Sequence, residues 1–278
     1  MGTLLRTQGV GRCMFRATLG GALIAGGLLG ALVVAPAGGV TGRSLDRVTV
    51  LSAAEWPPSG GSAASGIDAT LVATSVDPAV VDITSTVTGG VAAGTGMVIT
   101  PGGQVLTNNH VVDGATRITG QIDGAGRTYT MLIIGVDPAH DVALLQLEGA
   151  SNLRTVSVGD STKVGKGDPV LAIGNGLGRG GTPSTAAGTV VALGQTITAT
   201  EDDGSNPETL NDMIETNADI QPGYSGGPLV NARGQVIGMD TAASPDQPGE
   251  HSGGTSPDAF AIPITDAMSV VDTLRAAH

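Results

Sequence analysis

Aromatic and basic side chains are both scarce in this sequence. Its 278 residues include two Phe, two Tyr and one Trp, and 13 Lys and Arg stand against 25 Asp and Glu, which gives a net charge of -12. Few rings are present on which bases could stack, and a chain of this charge repels polyanions. Nucleic acids and acidic membrane surfaces are therefore not expected as partners.

Cysteine is almost absent, since Cys13 is the only one. A lone thiol within the N-terminal segment 1–37 excludes cysteine catalysis and thiolate metal sites from the body of the protein. A dinucleotide-binding string, Gly-x-Gly-x-x-Gly, occurs at 176–181, but the residues after it are typical of loop and strand rather than helix. We interpret it as a glycine loop and expect no metal and no organic cofactor.

Residues 1–37 differ from the rest of the chain. Three arginines precede an uncharged apolar run at 17–35, and small residues up to Ala37 have the spacing of a cleavage site. This pattern predicts an export signal cleaved near Ala37. The apolar run is also long enough to span a membrane, so the alternative is a retained anchor. Either way, the body of the protein is predicted to be secreted or in the cell envelope, outside the cytoplasm.

The remaining chain has the rhythm of an all-β protein. Residues 38–69 show little pattern and predict a spacer or pro-segment of low order. Beyond them, runs rich in Val, Ile, Thr and Leu recur between Gly, Pro, Asn and Asp, as in a sandwich or barrel. The predicted strands are 80–85, 96–100, 105–107, 117–121, 128–136, 142–147, 169–174, 188–200, 213–216, 228–230 and 235–240.

Residues 149–166 lack a strand pattern and divide these runs into two groups. We therefore predict an N-terminal β-barrel at 70–150 and a C-terminal β-barrel at 151–278. The second ends in a helix after Ile264, in which Met268, Val271 and Leu274 share one face and Asp266 provides the cap.

The segment 223–228 reads Gly-Tyr-Ser-Gly-Gly-Pro and is the most informative in the chain. A nucleophilic serine needs an exposed hydroxyl and nearby backbone N–H groups that can hold an oxyanion, and glycines allow such a backbone without a Cβ clash. Ser225 is the candidate nucleophile, and Gly223 and Ser225 are the candidate oxyanion donors. Taken alone, a serine between glycines is also typical of an ordinary turn.

Two further segments support catalysis. His110 follows a predicted strand and precedes two valines, and Asp141 opens an apolar strand. A general base must reach the serine and present its other ring nitrogen to a carboxylate, which fixes the tautomer. Each residue alone has a structural interpretation, but the three segments together predict a Ser-His-Asp triad.

The same serine satisfies the Gly-x-Ser-x-Gly pattern of the nucleophile elbow in α/β-hydrolases, so a secreted serine esterase is a competing interpretation. The elbow runs from strand into helix, whereas Pro228 and the residues after it are typical of a strand. The chain order His, Asp, Ser also differs from the order in elbow enzymes.

The segments 107–112, 141–145 and 221–231 resemble the three signature segments of HtrA/DegP-type serine proteases, and most closely those of secreted actinobacterial PepA-type enzymes. Flanking segments such as 94–99 and 189–195 agree with the resemblance. The likeness covers about residues 70 to 277 in order and at similar spacing.

This resemblance implies a chymotrypsin-like double β-barrel with a short C-terminal helix, and peptide-bond hydrolysis through an acyl-enzyme. His110 and Asp141 would come from the first barrel and Ser225 from the second. Ile220 would lie near the primary specificity pocket, and 238–242 on an edge strand that pairs with the substrate backbone. The implied substrate-binding residues are Asp219, Ile220, Gly238, Met239, Asp240, Thr241 and Ala242.

Three features depart from that family. Its members usually continue into a PDZ domain, but nothing remains here after the terminal helix, so no PDZ-mediated partner is expected. Tyr224 stands where Asn or Asp usually precedes the nucleophile, so the oxyanion loop could be less well formed. Asp219 lies where trypsin-like enzymes that cut after Lys or Arg keep an acid, although small aliphatic preference is favoured for this type.

We therefore predict an extracytoplasmic serine endopeptidase that acts on protein or peptide substrates. A catalytically silent relative that binds extended peptides is the second hypothesis, motivated by Tyr224 and by the missing regulatory domain.

Overall fold

The computed structural model describes residues 66–199, 208–241 and 259–277. The first group of strands comprises β1 (Val80–Val87), β2 (Gly90–Val98), β3 (Gln104–Thr107), β4 (Ala115–Ile122), β5 (Thr128–Asp137) and β6 (Val142–Leu147). These six strands close into an antiparallel barrel in the order β1-β2-β3-β6-β5-β4. Closure leaves this barrel without an unpaired edge.

Alternation of large and small residues fills the barrel interior. Ile83 on β1 is fully buried, and a Cβ added to Gly96 on β2 would lie 2.9 Å from its Cδ1. Similarly, a Cβ on Gly120 of β4 would lie 2.9 Å from Cγ1 of Val81. The glycines therefore make room for aliphatic side chains, which supply the core in a chain that has few aromatic residues.

The second group of strands comprises β7 (Ser157–Val158), β8 (Pro169–Gly174), β9 (Ser184–Ala199), β10 (Glu208–Thr216), β11 (Pro228–Asn231), β12 (Gln235–Thr241) and β13 (Ala259–Pro263). They form one sheet in the order β11-β8-β9-β10-β13-β12-β7. An additional pairing of β11 with β12 joins the two sides of this sheet. As a result, β12 lies between β11 and β13.

Two helices occur in the first half of the chain, one before β1 and one between β3 and β4. Helix α1 (Ala69–Val76) begins at Asp68, whose side chain accepts a hydrogen bond from the backbone N–H of Leu71 at 3.1 Å. The sequence pattern did not predict this helix, because only Val72 and Val76 of its two turns are buried. A short helix α2 (Asn109–Val112) lies within the first barrel.

The terminal helix, α3 (Ile264–Ala276), begins two residues before the predicted cap. Pro263 occupies the capping position, and β13 runs directly into the helix through this residue. Asp266 was predicted as the cap but lies in the first turn, where its charge still complements the helix dipole. The predicted apolar face is confirmed, since Val271 is buried and Met268 and Leu274 pack against the core.

The predicted fold class is confirmed. Each predicted strand overlaps an observed one, and a closed barrel, a second sheet and a short C-terminal helix are all present. The pattern missed β7, which has two exposed residues, and β13, which follows a Gly- and Pro-rich stretch. No helix in the described part of the chain is long and apolar enough to cross a membrane. The predicted anchor at 17–35 lies outside the described residues.

Candidate active site

His110 is positioned by the end of β3. The strand ends at Thr107, and the chain enters the one-turn helix α2, which is anchored by the buried side chains of Val111 and Val112. His110 directly precedes these anchors in the sequence, and its side chain is one-third exposed, at 33%. The ring is therefore accessible on one side and fixed on the other.

Asp141 lies at the start of β6, immediately after a 3-10 turn at Pro138–His140. Its backbone is left-handed, with φ of 50°, a conformation that aspartate adopts more readily than most residues. The Asn108 side-chain amide donates to the Asp141 carbonyl at 3.0 Å. Pairing of β3 with β6 places Asp141 beside the strand end that precedes His110.

The carboxylate of Asp141 holds His110 at two points. Its Oδ1 accepts the backbone N–H of His110 at 3.0 Å, and its Oδ2 lies 2.8 Å from the ring Nδ1. The Asp141 side chain is only 3% exposed, so little water competes for these bonds. The imidazole is thereby oriented with Nε2 directed away from the carboxylate.

Ser225 lies in the loop that connects β10 to β11 and is buried, with 6% exposure. Every carbonyl from Pro222 to Ser225 accepts a hydrogen bond. The Pro222 carbonyl accepts from the amide of Leu177 at 2.7 Å, and the Gly223 carbonyl accepts from the Thr95 hydroxyl at 2.6 Å. The Tyr224 carbonyl accepts from the amide of Gly227 at 2.8 Å, and the Ser225 carbonyl accepts from the amide of Thr95 at 2.9 Å. In a trans peptide the N–H points opposite to the C=O, so the amides of Gly223 and Ser225 are turned to the other side of the loop.

Two glycines make this loop conformation accessible. Gly223 has φ of 98°, and a Cβ there would collide with the carbonyl of Asn175. Gly226 has φ of 84°, and a Cβ there would collide with Thr95 and Thr107. Another residue at either position would be strained both sterically and in its backbone.

Tyr224, the unusual residue before the proposed nucleophile, lies in the interior of the protein. It is 3% exposed, and its ring lies over two glycines of the second barrel. A Cβ on Gly174 would lie 2.8 Å from the Tyr224 Cα, and one on Gly176 would lie 3.1 Å from its Cε2. Burial is the main cause that raises the pKa of Tyr224 to about 12, and its hydroxyl is hydrogen-bonded to the Ser184 side chain. The ring therefore packs as part of the core.

The two barrels meet at the nucleophile loop. The amide of Thr95 on β2 donates to the Ser225 carbonyl, and Gly226 packs against the end of β3. A Cβ on Gly226 would lie 3.1 Å from the amide nitrogen of Asn108. The loop that carries Ser225 thus rests on the segment that leads into His110.

Most of the predicted substrate-pairing segment 238–242 is already paired within the sheet and is not free to bind a substrate backbone. Gly238, Met239 and Asp240 pair with β13 on one side. On the other side, Gly238 and Met239 pair with β11, and Asp240 exchanges two backbone hydrogen bonds of 2.8 Å with residues 226–227. These three residues are therefore interior to the sheet. Thr241 is the first residue past that double pairing, and Ala242 lies outside the described residues.

Asp240 is fully buried beside this loop. Neither of its carboxyl oxygens has a hydrogen-bond partner among the described residues. Burial raises the pKa of Asp240 well above its ordinary value, because water no longer stabilises the carboxylate. Burial therefore favours the protonated acid more than it would be favoured in an exposed aspartate. The side chain is also not exposed to a substrate.

Asp219 and Ile220 lie just before the nucleophile loop. Asp219 is exposed and accepts a hydrogen bond from the Gln221 side chain at 3.2 Å, whereas Ile220 is partly buried against the core of the second sheet. Within the described residues, no group of three His, Cys, Asp or Glu side chains could hold a metal ion.

Sequence reasoning missed the residues that support the nucleophile loop. Leu177 belongs to the stretch 176–181 that was interpreted only as a glycine loop, and its amide donates to the Pro222 carbonyl of the nucleophile loop. Asn175 directly precedes that stretch, and its amide donates to the Thr95 hydroxyl. The sequence signal that could have directed attention to this contact is a polar threonine, Thr95, placed between two glycines in an otherwise apolar strand.

Comparison with known proteins agrees with this geometry. The family described as trypsin-like peptidase domain matches residues 94–239. A probable periplasmic serine protease do/HhoA-like of Haemophilus influenzae is 42% identical over 183 residues, which are 65% of this chain and 36% of the relative. Serine protease PepD of Mycobacterium tuberculosis is 34% identical over 269 residues, which are 88% of this chain and 57% of the relative.

Among solved structures, the HtrA-type protease AlgW with tripeptide matches with a TM-score of 0.62 and 33% identity, over 74% of this chain and 62% of that chain. The chain spans 36% and 57% of the length of the two curated relatives above. The family match covers more than half of the chain and includes Ser225, His110 and Asp141. The chain therefore belongs to the trypsin-like peptidase family and is of the HtrA type.

Proposed function

We propose that the chain is a serine endopeptidase with Ser225 as nucleophile, His110 as general base and Asp141 as the residue that orients the base. This proposal rests on one observation. The buried carboxylate of Asp141 contacts His110 twice, at the backbone N–H and at the ring Nδ1. A carboxylate bound to Nδ1 leaves Nε2 as the proton acceptor and stabilises the imidazolium that forms.

The reaction follows from this arrangement. The hydroxyl oxygen of Ser225 attacks the peptide carbonyl carbon while Nε2 of His110 takes the hydroxyl proton. The carbonyl oxygen becomes an oxyanion and is bound by the amides of Gly223 and Ser225. His110 then passes its proton to the leaving amine as the C–N bond breaks. A water molecule attacks the acyl-enzyme in the same way and releases the new carboxylic acid.

The proposed substrate is an extended polypeptide segment. Its backbone would add to β12 from Thr241 onward, since the preceding residues of that strand are already paired on both sides. Ile220 is proposed to line the primary specificity pocket and to favour small aliphatic side chains. Asp219 is exposed and accepts a hydrogen bond from the Gln221 side chain, and a basic preference through this carboxylate is the alternative.

The proposed location is outside the cytoplasm. The arginine-flanked apolar run at 17–35 supports export, either with cleavage near Ala37 or with retention as an anchor. Several relatives carry names that describe them as periplasmic. Detection of the mature N-terminus by mass spectrometry of the exported protein tests whether cleavage occurs.

The esterase interpretation is less well supported. An elbow serine leads from a strand into a helix, whereas Ser225 is followed by two glycines and then by β11. The silent peptide-binding hypothesis is separated from proteolysis only by an assay.

Labelling by a fluorophosphonate, followed by intact-mass detection, tests the proposal on the full chain. We expect one label per chain, lost in Ser225→Ala and His110→Ala and kept in the matched control His140→Ala, whose ring lies on the surface. Casein should be cut, with small aliphatic residues before the cleavage sites. Labelling without cleavage would favour the esterase, and no labelling of folded protein would favour the peptide-binding module.

A further inference from the structure

Thr95 on β2 is wholly buried where the two barrels meet, at 0% exposure. All of its polar groups are hydrogen-bonded. Its amide donates to the Ser225 carbonyl at 2.9 Å, and its carbonyl accepts the Thr107 hydroxyl at 2.6 Å. Its hydroxyl donates to the Gly223 carbonyl at 2.6 Å and accepts the Asn175 amide at 2.9 Å. One residue of the first barrel thus binds the nucleophile loop twice.

The direction of the hydroxyl bonds is determined by their partners. A backbone amide can only donate, so the Thr95 oxygen must accept from Asn175. The single hydroxyl hydrogen then has one acceptor, the Gly223 carbonyl. Any residue without a hydroxyl at position 95 would leave both of these groups unsatisfied in the interior.

The Gly223 carbonyl belongs to the peptide that links the two proposed oxyanion donors. Rotation of the Gly223–Tyr224 peptide plane changes the relative position of the Gly223 and Ser225 amides. Gly223 has no side chain that would resist such a rotation, and its φ of 98° is one that glycine adopts readily. The bond from the Thr95 hydroxyl holds this plane at its carbonyl. On the opposite side of the plane, the Tyr224 amide donates to the Gln221 carbonyl at 3.0 Å. Only the carbonyl-side bond comes from the opposite barrel.

We infer that Thr95 is a positioning residue for catalysis, whose hydroxyl holds the two oxyanion-binding amides in register from the opposite barrel. It does not touch the substrate, and it acts through the Gly223 carbonyl. The inference rests on the proposed function and adds a residue whose loss reduces the rate of the chemical step rather than substrate binding.

The test is Thr95→Val, which keeps the shape of the side chain and removes the hydroxyl. The matched control is Thr216→Val. Thr216 is also at 0% exposure, and its hydroxyl donates to the Thr189 carbonyl at 2.9 Å and accepts the Ala218 amide at 3.1 Å. Each change removes one hydrogen bond to a backbone carbonyl and one from a backbone amide, but only the first affects the Gly223 carbonyl.

Steady-state cleavage of fluorescently labelled casein by the full chain separates kcat from KM. We expect Thr95→Val to lower kcat by about 10- to 100-fold, less than the loss of about 100- to 1000-fold that follows removal of an oxyanion donor. KM should change by less than about twofold, and the fluorophosphonate reaction should slow in proportion to kcat. Thr95→Ser should recover most of the rate, and Thr216→Val should keep kcat despite a similar loss of thermal stability.

A folded Thr95→Val that retains parental kcat would overturn the inference, as would an equal loss of kcat in Thr216→Val. If Thr95→Val does not fold, Thr95→Ala replaces it and should show the same selective loss of kcat. A folded Thr95→Ala that retains parental kcat would then overturn the inference. A parent chain that is neither labelled nor active would instead refute the proposed function itself, before any variant is compared.

Discussion

The described part of the chain contains two histidine–aspartate pairs with nearly the same internal geometry. In both, the ring Nδ1 lies 2.8 Å from the aspartate Oδ2. In both, Oδ1 of the same aspartate accepts the backbone N–H of the histidine, at 3.0 Å for His110 with Asp141 and at 3.3 Å for His140 with Asp137. The proposed catalytic pair thus has a close geometric copy elsewhere in the chain.

The surroundings of the two pairs differ. The side chains of Asp141 and His110 are 3% and 33% exposed, whereas those of Asp137 and His140 are 30% and 63% exposed. Asp137 caps a 3-10 turn, so its contact with a histidine three residues later is a consequence of local capping. The other pair spans 31 residues and exists only because β3 pairs with β6.

The comparison shows that hydrogen-bond geometry alone does not identify a catalytic pair. What distinguishes the buried pair is that its carboxylate is shielded from water and that the nucleophile loop packs against the adjacent strand. A search for histidine–aspartate contacts would find both pairs, and only the fold separates them.

The largest expected effect comes from changing the two aspartates in the same way. Asp141→Asn should lower kcat by about 10⁴-fold, because an amide no longer holds the required tautomer or stabilises the imidazolium. Asp137→Asn should leave kcat within about twofold, since its partner ring is on the surface. Casein kinetics with circular dichroism as a folding control measures both, and losses of similar size would remove the distinction between the pairs.

Asp240 sharpens the comparison, because it is buried like Asp141 but lacks a hydrogen-bond partner among the described residues. Burial raises its pKa, so the folded state holds the proton more tightly than the unfolded chain. The stability that this proton contributes is fully present below the unfolded pKa of 3.8 and is lost as pH rises through the folded pKa.

Asp240→Asn cannot ionise and should therefore lose less stability than the parent as pH rises above about 4. The difference in the free energy of unfolding should grow by about 1.4 kcal/mol per pH unit between the two pKa values. Urea unfolding from about pH 4 to pH 8 measures it. Parallel curves for parent and variant would show that Asp240 is already compensated in the folded state.

The smallest expected effect concerns the exposed pair. His140→Ala and Asp137→Ala should each change the free energy of unfolding by less than about 1 kcal/mol, because exposed charge pairs contribute little in water. A double-mutant cycle in urea isolates the coupling of the two side chains. The comparison requires that exposure to water weakens this pair. A coupling well above about 1 kcal/mol would contradict that requirement.

The fold class was predictable from the sequence because strand patterns and turn residues are local features. His110, Asp141 and Ser225 could be proposed for the same reason, since each lies in a short motif whose residue types suit one chemical role. The structure places the first two in contact and the third on a loop packed beside them.

The support of the nucleophile loop was not predictable in this way. The hydroxyl of Thr95 meets the Gly223 carbonyl across 128 residues, and the amide of Asn175 meets Thr95 across 80 residues. No periodicity or propensity specifies contacts of that range. The packing of Tyr224 was unexpected for a related reason, because the space for its ring comes from Gly174 at the end of β8 and from Gly176 in the turn that follows.

The contact between Thr95 and the nucleophile loop has a consequence for the order of events during folding. The first barrel on its own contains a histidine–aspartate pair but no nucleophile, and the second contains the serine but neither the base nor the hydroxyl that orders its loop. Both barrels depend on long-range strand pairing, which is slow to form. A partly folded copy therefore lacks the complete site, so a newly made protease would gain the ability to cut its neighbours only after its own two halves have joined.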